Sequence, residues 1–198
     1  YEVESDPKVT LISARGASGK STLAGHLSKL IQAPLWSLAH DAAVSGDAPT
    51  ARLGAYLGTA TPLDEAHRLP TLIIDSLDEA RLRVTGLSWD QFVASLIDFS
   101  RAGVHLVLLG RKRTVEDVWV EFAERDIPVQ WFEISHFDES RQKDYVDLRT
   151  LGAEAVSPGL AYEQARDLLL SHLNGQRGGD LYATFAGYAS VLDAVAAL

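Results

Sequence analysis

Ala14-Arg15-Gly16-Ala17-Ser18-Gly19-Lys20-Ser21-Thr22 places a small residue, four free positions and then Gly-Lys-Ser between two unlike segments. That spacing is the form of a phosphate-binding loop, with Ala14 standing where the commoner form has glycine. A glycine-rich turn lets successive backbone N–H groups point at phosphate oxygens. A lysine at this place reaches the β- and γ-phosphates, and the next hydroxyl can ligate Mg²⁺. Arg15, Gly16, Ala17, Ser18, Gly19, Lys20, Ser21 and Thr22 are therefore the expected phosphate cradle, with Ser21 a ligand of the metal.

The flanks agree with that reading. Lys8-Val9-Thr10-Leu11-Ile12-Ser13 is β-branched and apolar, as a strand buried on both faces should be. After the loop, Leu23, Leu27, Leu30 and Ile31 recur at helical spacing until Pro34 stops the helix. A strand, a glycine turn and a helix in this order are what anion binding at a helix N-terminus requires. The plainer alternative is a Ser/Gly connection with Lys20 as a surface charge.

A second constellation lies downstream. Thr71-Leu72-Ile73-Ile74-Asp75 is a buried strand with an acid at its end, the Walker B arrangement, and Asp75 is the expected support of Mg²⁺. Asp78 and Glu79 follow three and four residues later, where an acid beside a bound triphosphate can orient or deprotonate the attacking water. The alternative here is a solvated acidic turn. A third element is Val104-His105-Leu106-Val107-Leu108-Leu109, followed by Gly110-Arg111. In open parallel sheets ligands sit beyond the carboxyl ends of the strands, so Arg111 is expected to face the γ-phosphate, with Arg113 its rival.

The rest of the chain alternates in the same way. Leu35-Trp36-Ser37-Leu38 is a short strand, and residues 39–69 show no period beyond a short helix near Thr50 to Leu57. Ser88 with Gln91 forms a capping box that opens a helix bearing Trp89, Phe92, Val93, Leu96 and Ile97, ended by Gly103. Thr114 caps a helix carrying Val115, Val118, Trp119 and Phe122, and Val129 to Ile134 is a fifth strand. Helices only are expected beyond it, near 138–148, 162–173 and 181 onward, with Asn174-Gly175-Gln176-Arg177-Gly178-Gly179 a connector. Strand–helix alternation implies a parallel sheet covered on both faces. The expected division is a core over 1–136 and the start of a helical region over 137–198. The last residues read as cut inside a helix, and methionine is absent even at position 1, which suggests a piece of a larger protein.

Composition narrows the function. The 198 residues carry a net charge of −9, which argues against the broad basic face that nucleic-acid binding needs. No apolar run approaches a membrane span. The absence of cysteine excludes disulfides and thiolate metal sites and fits a cytosolic protein. The six histidines are scattered without ligand spacing, so no zinc site is expected, and His105 reads as a packed strand residue.

Three segments together resemble the NACHT-type branch of the STAND P-loop NTPases: ISARGASGKST (12–22), LIIDSLDEA (72–80) and FEISHFDESRQKDYV (132–146). The tail FAGYASVLDAV (185–195) is similar to a helical element of bacterial members. The second segment is the most discriminating, since an apolar strand followed by Asp, a small residue, an apolar residue and Asp-Glu is that family's form of Walker B. The resemblance implies an α/β three-layer sandwich with a parallel five-stranded sheet of order 5-1-4-3-2 and C-terminal helices. It implies ATP, or GTP, with Mg²⁺. Lys20 and Ser21 would bind phosphate and metal, Asp75 would support the metal, Asp78 and Glu79 would be the hydrolytic acids, and Arg111 the sensor. It further implies a slow switch that controls sensor and effector domains of one larger signalling or defence protein, often through nucleotide-dependent homo-oligomers. The family's winged-helix element and sensor repeats are not recognisable here. Two other readings stay open on the residues alone: a P-loop kinase of small molecules, which leaves the two extra acids unexplained, and a non-hydrolysing nucleotide-dependent scaffold.

Overall fold

The apolar runs become five strands: β1 (Val9–Ala14), β2 (Leu35–Ser37), β3 (Thr71–Asp75), β4 (His105–Gly110) and β5 (Val129–Ile134). All four neighbouring pairs are parallel, in the order β2-β3-β4-β1-β5, which is the expected 5-1-4-3-2 read from the other edge. The computed structural model describes residues 8–16, 18–41, 44, 46–68, 71–152, 159–175 and 187–197. The chain forms two compact units, Tyr1–Gly16 with Lys20–Ile134, and Ala17–Gly19 with Ser135–Leu198.

In the first unit the helices are α1 (Lys20–Ile31), α2 (Ala48–Leu57), α3 (Leu77–Arg83), α4 (Gly86–Arg101) and α5 (Lys112–Ala123). The central strands are apolar at consecutive positions because both sheet faces are covered. Ile12, Ile73, Val107 and Leu109 face Ala24, Leu23 and Leu27 of α1. Leu11, Leu72, Ile74, Leu106 and Leu108 face the opposite way, into a larger core with Phe92, Leu96 and Phe99 of α4 and Val115, Val118 and Phe122 of α5. Fully burying each such side chain contributes about 1.5–3 kcal/mol, so the second face anchors most of the unit.

Several local expectations shift. The cap of α4 is Thr85, not Ser88: Thr85 has extended backbone and its hydroxyl accepts the Ser88 N–H at 3.3 Å. Both residues are competent caps, and the one nearer the preceding turn takes the role. Thr114 does not cap α5; that helix starts two residues earlier, with Arg111 at the cap position, and Thr114 is buried in its first turn. His105 opens β4, and its Nε2 lies 2.9 Å from the Thr10 hydroxyl. Burial holds its pKa below the ordinary histidine value. The 39–69 stretch carries α2 and short 3-10 turns at Leu38–His40 and Ala66–Arg68.

The second unit contains α6 (Glu139–Leu151), α7 (Leu160–Gly175) and α8 (Ala189–Ala196). Asp138 caps α6 by accepting the Arg141 N–H at 2.9 Å. Val146, Leu170 and Leu192, one from each helix, make a small core. Arg166 of α7 binds Asp147 of α6 and its own neighbour Asp167, and the hydrogen bond to Asp147 is the main cause that raises its pKa above the ordinary arginine value. The Tyr145 hydroxyl and Arg149 Nε both donate to Asp193 of α8. The expected connector beyond Gly175 and the start of a helix at 181 lie outside the described residues. No helix among the described residues is long and apolar enough to cross a membrane.

Candidate functional site

Parallel strands bring all their carboxyl ends to one edge of the sheet, and the three sequence constellations meet that edge from β1, β3 and β4. Val9–Ala14 ends in the loop 15–19, and Lys20 is the first residue of α1. Gly19 has φ +87°, a left-handed backbone that an L side chain adopts only under strain, so glycine is needed there for conformation. The Lys20 ammonium donates to the Arg15 carbonyl at 3.1 Å. Ser21 and Thr22 are exposed on the first turn of α1.

Asp75 lies at the same edge. Ile74 pairs with Leu108, and Leu109 pairs with Ile12, so Asp75 is level with the last residues of β1. β4 separates the two strands, a lateral step of about 10 Å at ordinary strand spacing. Asp75 is 2% exposed. Its Oδ2 accepts the Ser76 hydroxyl at 3.1 Å, while its Oδ1 is buried with no hydrogen-bond partner among the described residues. Ser76 itself has φ +68°, a conformation uncommon outside glycine and often found at functional turns. That turn starts α3 immediately beyond the strand and gives the small residue between Asp75 and Leu77 a physical reason.

The two acids on the first turn of α3 meet unlike surroundings. Asp78 is nearly buried. Its Oδ1 accepts the Arg111 backbone N–H at 3.1 Å, and its Oδ2 is 2.9 Å from Arg111 Nε. Glu79 is exposed and pairs with Arg83 one turn on, at 3.1 Å. Arg83 also donates to the carbonyls of Leu38, Ala39 and Asp41, so it ties α3 to the turn that follows β2. The same turn is braced from α2, where Arg52 reaches Asp41, and by the Trp36 indole N–H, which donates to Asp41. Arg111, Arg113 and Arg81 line one cleft between α3 and α5 with Asp78, Leu82 and Asp117.

Gly110, between β4 and Arg111, sits where a side chain would pack tightly. A Cβ there would stand 3.2 Å from Leu77 Cβ, 3.3 Å from Val115 Cγ2 and 3.7 Å from Asp78 Oδ1. Arg83, Gly110 and Ser76 were not singled out by the sequence patterns as site residues. The i, i+4 spacing of Glu79 and Arg83 was the one available signal. As to metal, no cluster of three or more acidic or histidine ligands occurs among the described residues. Mg²⁺ does not demand one, since it keeps several waters and takes one or two protein oxygens. A buried carboxylate oxygen with no hydrogen-bond donor among the described residues and an exposed hydroxyl are ligands of that kind, so Asp75 and Ser21 are the residues that could hold it.

No protein-family profile matches the chain, and no curated protein matches it. Solved structures do match. The Walker-type ATPase Paby2304 of Pyrococcus abyssi is 11% identical, with a TM-score of 0.57, over 94% of this chain and 62% of that one. The fold is that of the P-loop NTPases. The FIGL-1 AAA domain in complex with ADP is 15% identical, with a TM-score of 0.49, over 82% of this chain and 55% of that one. The chain thus spans less than two thirds of the length of either structure. Within the P-loop NTPase fold the topology brings the residues singled out on β1, β3 and β4 to one sheet edge, with Asp78 and Arg111 in direct contact.

Proposed function

We propose that the chain binds a nucleoside triphosphate, ATP in the first instance, with Mg²⁺, and hydrolyses it slowly as the switch domain of a NACHT-type STAND protein. The observation that carries this reading is the Asp75 carboxylate: it is buried at the end of β3 and its Oδ1 has no hydrogen-bond partner among the described residues. An unmet buried acceptor costs roughly 1–3 kcal/mol, more when charged, and a bound cation with its water shell would meet it. When bound, Mg²⁺ would neutralise charge on the β- and γ-phosphates.

The chain's own residues supply the rest. Backbone N–H groups of the 15–19 loop bind phosphate oxygens, and Lys20 leaves the Arg15 carbonyl for the polyanion. Arg111 reads the third phosphate. Glu79 is the acid that orients or deprotonates the attacking water, since it is exposed and paired with Arg83. On this reading the core over 1–136 works together with the helices after it and with sensor and effector domains of the same larger protein, through a nucleotide-dependent homo-oligomer in the cytoplasm.

A thermal-shift panel of ATP, GTP, ADP and AMP, each with and without Mg²⁺, tests the reading. A ligand at a hundred times its Kd stabilises the native state by about 2.7 kcal/mol. For a chain of this size that raises the melting temperature by about 5–10 °C. The expected result is such a rise with Mg²⁺ and a triphosphate, cut to about half or less in Lys20→Ala at the same nucleotide concentration. No rise with any nucleotide, or an equal rise in the variant, would contradict it.

A further inference from the structure

We infer that Asp78 is a positioning residue that acts through Arg111, and does not exchange a proton with the attacking water. The inference rests on the reading of Arg111 as the sensor of the third phosphate. Both carboxylate oxygens of Asp78 are already engaged, and by one residue: Oδ1 holds the Arg111 backbone N–H and Oδ2 its Nε. This double grip fixes backbone and side chain together, so the direction of the guanidinium is set from within the fold.

Burial gives the pair its polarity. The Asp78 side chain is 12% exposed and that of Arg111 is 66% exposed, so the acid is the anchor and the guanidinium the outward member. No hydrogen bond of the Arg111 Nη atoms is found among the described residues, and the exposed guanidinium can turn their N–H groups to an external anion. A water-directed base must bring a carboxylate oxygen within hydrogen-bond reach of water. Glu79, with its exposed side chain, meets that condition, whereas Asp78 faces the β4–α5 turn. Gly110 favours the grip, because a Cβ there would stand 3.2 Å from Leu77 Cβ and 3.3 Å from Val115 Cγ2, closer than side chains usually pack. The two neighbouring acids therefore divide the work: one aims the sensor, the other faces solvent.

The test compares Asp78→Ala, Asp78→Asn, Arg111→Ala and the double variant Asp78→Ala/Arg111→Ala. Calorimetry gives the affinity for a non-hydrolysable ATP analogue and for ADP, both with Mg²⁺, and a separate assay gives turnover. Loss of one charge-assisted hydrogen bond corresponds to roughly tenfold or more in affinity. The expected result is that Asp78→Ala lowers the triphosphate-to-diphosphate affinity ratio about as much as Arg111→Ala, roughly tenfold, and that the double variant is no worse than Arg111→Ala alone. Asp78→Asn keeps an acceptor for the Arg111 N–H, and its ratio should fall between wild type and Asp78→Ala; it also serves if the alanine variant does not fold. An unchanged ratio with a turnover loss that persists in the Arg111→Ala background would make Asp78 a proton-transfer residue and overturn the inference. Equal weakening of both nucleotides would make it merely structural and overturn it too. If wild type bound neither nucleotide, the nucleotide reading itself would fall and take the inference with it.

Discussion

The first turn of α1 and the first turn of α3 stand at the same edge of the sheet, yet they are built in opposite ways. The turn at Lys20 is exposed at Ser21 and Thr22, and the Lys20 ammonium donates to the Arg15 carbonyl. The turn at Asp78 is buried and tied on both flanks, to Arg111 on one side and through Arg83 to the β2 turn on the other. A helix turn that meets a polyanion can be left exposed because the ligand covers it. Groups that must act on a bond being broken gain from being fixed beforehand, since preorganised groups need no rearrangement at the moment of reaction.

That contrast can be broken by substitution, and the largest effect is expected on the preorganised side. Glu79→Gln should lower hydrolysis by about 10²–10⁴-fold, the usual contribution of a positioned acid or base, with nucleotide affinity retained. A parallel loss of affinity in calorimetry would mean that Glu79 holds structure through Arg83. On the exposed side, Lys20→Ala should weaken triphosphate binding by roughly 10- to 150-fold, from the 1.5–3 kcal/mol of a hydrogen bond to a charged group, with the urea midpoint unmoved.

The two glycines sharpen the same comparison. Gly110→Ala should cost about 1–3 kcal/mol by overpacking, read as a lower urea midpoint. Gly19→Ala should cost about 1–2 kcal/mol for a different reason, because its Cβ would meet open space and only the positive φ opposes it. Equal rescue of both variants by saturating nucleotide would show that the turns are not different in kind. The smallest effect belongs to His105, remote from the edge. Burial lowers its pKa, so the unfolded chain binds the proton more readily and stability falls as pH drops below the ordinary histidine value. Replacing it with glutamine should flatten the melting temperature between pH 7 and 5 relative to wild type.

Much of the fold was written in local patterns. Thr71–Asp75 and Val129–Ile134 are bounded as their β-branched runs predict, and the strand order matches the one implied by the family resemblance. What the patterns misplaced were helix starts, at Thr85 and Arg111, because several residues within a turn of each other are competent caps and only tertiary packing chooses among them. The residue types of the site were legible too, but their pairing was not. Nothing in Asp78-Glu79 as a sequence says that one acid turns inward to Arg111, thirty-three residues away, while its neighbour faces solvent. That division follows from the helical rotation between adjacent residues and from the space left by Gly110.

The central claim is that Lys20 and Asp75 serve one pocket for a metal-bound triphosphate, and the Mg²⁺ dependence of ATP affinity in Asp75→Asn measures it most directly. Wild type should bind ATP more tightly with Mg²⁺ than with chelator, and Asp75→Asn should abolish that gain while retaining metal-free binding. A gain of the same size in Asp75→Asn would contradict the account.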